Sequence, residues 1–223
     1  MTDAADVFSP AEIEKILSMK SYFNIIHKEH MKGNEGFFIA YKESYVYAGG
    51  AFASQWWHEQ PKDIDFFILD NPSATLWFET FLIKAGSHAP TVTVHDIRYM
   101  KNKHIKKVAT DHLTKIQYIF TDYKTREELM ASFDYLHTKV SYYKNELYIT
   151  KATYDAIRDK KLVVTNQENW YPQREEKFFK RGWVNKDLGA GAWPPLKGYA
   201  ASLLGARMIT PSQNQTMVNI ITT

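Results

Sequence analysis

The sequence predicts an α+β fold with a mixed sheet. Three observations carry this expectation. Helical patterns come first and are then interleaved with several short strand patterns, an order that suits neither a bundle nor a sandwich. The strand patterns are short and bounded by turn residues. The chain is 44% hydrophobic and 15% aromatic, ample for a packed core and contrary to disorder.

Each element has a local reason. Ser9 caps a helix that runs to about Lys28, with Pro10 in its first turn and Glu12 where a capping-box partner belongs. Residues 36–48 read as extended and are broken by Gly49-Gly50. Residues 51–60 read as a short helix. DIDFFIL (63–69) is a strand with a turn at Asn71-Pro72, and 73–86 is a helix ending at Gly86. TVTVHDIRYM (91–100), LTKIQYIFT (113–121) and HTKVSYY (137–143) alternate as strands do. ELYIT (146–150) is a hairpin partner through Lys144-Asn145. Thr125 caps a helix to Ser132 with Glu127 and Glu128 in its first turn. Residues 151–160 read as helical. From about 184 the pattern weakens, and the final NQTMVNIITT reads as a strand or a tethered tail. The expected organisation is an N-terminal helical segment (1–35), a core domain (36–183) and a C-terminal extension (184–223).

Composition narrows the function. A net charge of +3 is too mild to indicate nucleic acid by itself. The chain has no cysteine, which excludes disulfides, thiolate metal sites and a cysteine nucleophile. The histidines show no zinc spacing. The N-terminus carries no basic-then-apolar signal, and no apolar window is long enough for a bilayer. The expectation is a soluble, cytoplasmic protein with no membrane partner.

The informative stretch is YVYAGGAFASQWWHEQPKDIDFFIL (45–69). Along a strand, Asp63 and Asp65 point to one face and Ile64 and Phe66 to the other. Two neighbouring carboxylates repel, and burial raises the cost of ionising both. A hard dication such as Mg²⁺ compensates them and keeps positions open for substrate phosphates. Two such ions about 4 Å apart stabilise the attacking and leaving oxygens of a phosphoryl or nucleotidyl transfer. Gly49 and Gly50 would let backbone approach a phosphate at the start of the next helix. The competing reading is a plain turn and a strand-end acid pair reaching solvent.

This pattern resembles the nucleotidyltransferase superfamily of DNA polymerase β: apolar residues, Gly-Gly or Gly-Ser, about ten residues, then Asp-x-Asp or Asp-x-Glu. Here it is Ala48-Gly49-Gly50, then Ala51 to Lys62, then Asp63-Ile64-Asp65. Ala51 stands where members often carry serine, with Ser54 one turn later. KIQYIF, a short helix and FDY, followed by REEKFFKRGW (174–183), are similar to segments of uncharacterised viral and eukaryotic nucleotidyltransferase-like proteins. The resemblance implies a nucleotidyltransferase-like core, with Asp134 as third carboxylate and Asp96 as its rival. It implies Mg²⁺ (or Mn²⁺), an NTP held near Gly49, Gly50, Ala51 and Ser54, and an acceptor hydroxyl on RNA, protein or a small molecule. If the chain is viral, its compartment would be the host cytoplasm. Arg174, Lys177 and Arg181 share one helix face; Lys177 and Arg181 are the expected phosphate ligands, against a merely solvated face. The alternative is a catalytically inactive descendant that binds nucleotide, nucleic acid or a protein as a regulator or inhibitor. KNKHIKK (101–107) reads as an exposed loop, with a nucleic-acid phosphate contact as the rival. Trp56-Trp57-His58 reads as helix packing, with base stacking as the rival.

Overall fold

A computed structural model describes residues 8–88, 91–96, 102–170, 172–185 and 218–219. The elements in chain order are α1 (Pro10–Met31), α2 (Glu35–Ala40), β1 (Tyr45–Ala48), α3 (Ala51–Trp56), β2 (Ile64–Ile68) and α4 (Pro72–His88). They continue with β3 (Val92–His95), β4 (Ile105–Asp111), β5 (Ile116–Thr121), α5 (Arg126–Ala131), β6 (Ser141–Tyr143) and β7 (Glu146–Ile149). The last are α6 (Lys151–Arg158), α7 (Pro172–Phe179) and β8 (Val218–Asn219). The strands form one mixed sheet in the order β3-β4-β5-β2-β1-β6-β7-β8. β2 and β5 run parallel, with Asp65 beside Gln117 in register, and the other pairs are antiparallel. This is the α+β fold with a mixed sheet that the sequence predicts.

Several local expectations hold. Ser9 Oγ accepts from the Glu12 amide while the Glu12 carboxylate accepts from the Ser9 amide, a complete capping box. Thr125 caps α5 through the Glu128 amide. Lys144 and Asn145 both take positive φ (52° and 65°) between paired Tyr143 and Glu146. That is the geometry of a two-residue hairpin turn whose twist matches its strands.

Other expectations are corrected. Residues 36–48 are not one extended run: α2 occupies Glu35–Ala40, and only Tyr45–Ala48 is strand. The reason is packing. One helical turn buries Phe38 and stacks Phe37 on Trp77 with ring centroids 3.5 Å apart. KNKHIKK is not an exposed loop throughout, because Ile105–Lys107 begin β4. Within it, Lys106 and His104 contact Asp122, and Lys107 pairs with Glu79. HTKVSYY is a strand only at Ser141–Tyr143; Leu136–Thr138 form a 3-10 turn. Trp56 and Trp57 pack as expected, Trp56 against Tyr154 and Trp57 donating through Nε1 to the Ile157 carbonyl. In the C-terminal tail, Val218 and Asn219 pair with β7. Residues 97–101, inside TVTVHDIRYM and KNKHIKK, lie outside the described residues, as do 186–217 of the extension. Among the described residues no helix is long and apolar enough to cross a membrane.

The two faces of the sheet differ. On one, Ile64, Phe66 and Ile68 of β2 join a core cluster with side chains from α1, α3, α4 and α6. On the other, a smaller cluster contains Phe67, Val108, Ile119 and Leu129. Alternation along β2 places Asp65 on this second face.

Candidate active site

β1 is followed by Gly49, whose φ is +99°. A Cβ there would lie 2.7 Å from Asp65 Oδ2 on the neighbouring strand. Glycine is thus required twice, for the backbone angle and for the approach to the carboxylate. Gly50 then leads into α3, whose first turn buries Ala51 in the core.

Asp65 lies at the floor of a cleft with two lobes. One, of about 560 Å³, contains Gly49, Phe67, Phe133, Asp134, Asn169 and neighbouring side chains. The other, of about 480 Å³, contains Gly50, Ala51, Ser54, Asp63, Lys177 and Arg181 among others. Asp65, Gln117, Gln173 and Arg174 line both. The cleft therefore gathers all the sequence-predicted site residues, Asp63, Asp65, Asp134, Gly49, Gly50, Ala51, Ser54, Lys177 and Arg181, into two adjoining spaces. Asp96, which follows β3 near the far edge of the sheet, lines neither.

The electrostatics centre on two carboxylates. Burial pushes the Asp65 pKa up to about 6; Asp63 adds to the rise, while Arg174 and Lys177 oppose it. Among the described residues, neither Asp63 nor Asp65 has a hydrogen-bond or ion-pair partner. Asp134 is different. Its Oδ2 lies 3.0 Å from Arg174 Nε. The contact is an ion pair off the N–H axis, so the oxygen makes no hydrogen bond. Burial holds the Asp134 pKa above the ordinary carboxylate range, against the pull of Arg174.

Among the described residues, no three acidic or histidine side chains converge on a point where they could ligate one ion. The expected trio is thus not preassembled, and Arg174 occupies Asp134. Asp63 and Asp65 alone are two unpartnered hard-oxygen donors. Two carboxylates suit Mg²⁺, which takes its remaining ligands from water and substrate phosphates.

The cations come from α7 and the turn after it. Burial and the neighbouring Arg174 and Arg181 depress the Lys177 pKa. Arg181 is anchored, donating to Ser54 Oγ at 2.8 Å and pairing with Glu59. The Ser54 hydroxyl is thus engaged by protein. Sequence reasoning undervalued Arg174, which lines both lobes and grips Asp134. Its place on the same helix face as Lys177 and Arg181 was the available signal. It also missed Gln117, whose signal was its location in the strand that pairs with DIDFF.

The sequence model of Gad2, the Gabija anti-defense 2 family protein, matches residues 14–160. The chain belongs to this family. In this Gad2-family chain the match takes in the glycines and all three acids, and ends before α7 and its cations. No curated protein matches the chain. Among solved structures, the Gad2-family chain is similar to a Thermotoga maritima CCA-adding enzyme complexed with tRNA: 15% identity, TM-score 0.41, covering 57% of this chain and 30% of that one. An apo CCA-adding enzyme gives 10% identity and a TM-score of 0.42, covering 66% and 40%. A tRNA-processing enzyme with CTP gives 15% and 0.40, covering 58% and 34%. The Gad2-family chain spans well under half the length of each. Likeness at this level carries no argument about activity.

Proposed function

We propose that this Gad2-family chain counteracts Gabija defence as a metal-dependent nucleotidyltransferase, moving an NMP from an NTP to an acceptor hydroxyl. One observation carries the reading: the glycine-floored approach of β1 to the unpartnered Asp65 carboxylate, 2.7 Å from where a Cβ would stand. A structural aspartate has no need of such a gap. The sequence motif, Gly-Gly before the helix and Asp-x-Asp after it, supports the same chemistry.

Asp63 and Asp65 would hold Mg²⁺, which neutralises phosphate charge and acidifies the acceptor hydroxyl. Lys177 and Arg174 face the cleft as cations for the triphosphate, and Arg181 is positioned there by Ser54 and Glu59. Binding phosphate through Arg174 would release Asp134, on the acceptor side. Asp134 then takes the hydroxyl proton at its carboxylate. The acceptor oxygen bonds to the α-phosphorus, the bond from that phosphorus to the bridging oxygen breaks, and pyrophosphate leaves. Lys177, with its depressed pKa, is placed to protonate it.

A second reading has its own support: Ala51 offers no hydroxyl, and Arg174 already occupies Asp134. On that reading the chain is a non-catalytic binder that inhibits a defence component. The test is incubation with each α-³²P-labelled NTP, Mg²⁺ or Mn²⁺, and a lysate of Gabija-bearing cells. Label on an acceptor that is lost in Asp65→Asn supports transfer. No label from any NTP with folded wild-type protein favours the binder.

A further inference from the structure

The two lobes offer different chemistry. The lobe of about 480 Å³ is rich in cations, with Lys62, Arg174, Lys177 and Arg181 against the acids Glu59, Asp63 and Asp65. The lobe of about 560 Å³ has one cation, Arg174, and that is committed to Asp134. Its floor is apolar: Phe67, Ile105, Val108 and Ile119 on the sheet, with Phe133 beside Phe67 at 5.5 Å. Its polar lining has four carboxamides, Asn102, Gln117, Asn169 and Gln173, with Ser132 and the carboxylates of Asp65 and Asp134.

These amides retain unused hydrogen-bonding atoms. Asn102 Oδ1 accepts from the His104 amide and the Tyr123 hydroxyl, leaving its NH₂. Asn169 donates to the Ser132 carbonyl, leaving Oδ1. Gln117 donates to Thr110 Oγ1, leaving Oε1. Among the described residues, Gln173 makes no hydrogen bond. The lobe thus presents neutral donors and acceptors around an aromatic and aliphatic floor, beside the charged groups Asp65, Asp134 and Arg174.

We propose that this lobe binds a nucleobase, so that the acceptor is a nucleoside or nucleotide. A base presents alternating donors and acceptors in one plane, which carboxamides match in pairs, and its face stacks on an aromatic ring such as Phe133. A phosphate chain would need free cations, and the one cation of the lobe, Arg174, is committed to Asp134. A hydroxyl side chain of a protein would leave the four amides without a role. The acceptor assignment rests on the transferase reading, whereas base binding by the lobe does not.

The test uses the full chain in EDTA, titrated by calorimetry with adenosine, guanosine, cytidine and uridine, which carry no phosphate. At least one nucleoside is expected to bind at millimolar concentration or better. Phe133→Leu keeps apolar bulk but removes the ring, and weakens binding about tenfold, the scale of one base–aromatic stack. Lys177→Ala, in the cationic lobe, leaves nucleoside binding unchanged. The proposal is overturned if no nucleoside binds folded protein, or if Lys177→Ala abolishes binding that Phe133→Leu leaves intact. Label transfer to a protein without nucleoside binding would overturn this proposal and leave transfer standing. Nucleoside binding without transfer to any acceptor would uphold the pocket and sink the transferase.

Discussion

The same five residues of β2 serve two unlike faces. Ile64, Phe66 and Ile68 enter the core cluster that α1, α3, α4 and α6 complete, and Phe66 is fully buried among Tyr45, Tyr47, Phe78 and Tyr118. Asp65 faces the cleft, where a carboxylate is held without a partner. The difference separates the source of stability from the site of chemistry. One face gains from burying rings; the other bears the cost of desolvating charge.

The faces also titrate in opposite senses. His27 and His30 lie in the helix-covered face, where burial lowers their pKa values to about 4 and about 3. His30 lies 2.6 Å from the Tyr47 hydroxyl and 2.8 Å from that of Tyr118. Between pH 6.5 and 4 the unfolded histidines hold protons that the folded ones do not, so stability is lost as pH falls through that window. For Asp65 the folded state holds the proton from about pH 6 down to about 4, where the unfolded carboxylate does not. Its contribution is therefore lost as pH rises through the same range.

The largest expected effect breaks the helix-covered face. Phe66→Ala should cost about 3–5 kcal/mol of unfolding free energy, the usual range for a buried phenylalanine, read from urea denaturation. A loss as small as that of a surface substitution would contradict the packing described here.

A change of opposite sign is expected on the cleft face. Asp65→Asn in EDTA should raise stability above pH 6 by on the order of 2 kcal/mol, with the gain vanishing below pH 4. With the opposing carboxylate gone, its stability should also fall more steeply than wild type between pH 6 and 4. A pH-independent difference would mean that Asp65 is not desolvated.

Gly49→Ala tests the junction of the two faces. Its Cβ meets the Asp65 carboxylate in a positive-φ backbone, so it should cost about 1–3 kcal/mol. In the double variant with Asp65→Ala the contact penalty should shrink while the backbone penalty stays; equal costs in both backgrounds would remove the contact from the account. The smallest effect lies far from the cleft. Ser9→Ala should lose about 1 kcal/mol through the α1 cap, with label transfer unchanged.

Local chemistry made much of this legible. The Ser9–Glu12 capping box, the Lys144-Asn145 turn and the spacing of Gly49 to Asp65 are written in adjacent residues. What was not legible depends on partners distant in sequence. GFFIAY is helical because Phe37 meets Trp77 on α4. IKK is strand because β5 pairs with it and Glu79 and Asp122 meet its lysines. The Arg174 grip on Asp134 joins residues brought together only by the fold. The role of Arg174 was therefore hidden even though its helix face was not.

The most direct measurement is phage plating on Gabija-protected cells expressing wild-type protein or Asp65→Asn, with folding of both confirmed by melting. Wild type should restore plating and the folded variant should not. A stable Asp65→Asn protein that restores plating fully would contradict a catalytic role for the cleft and leave a binding protein in its place.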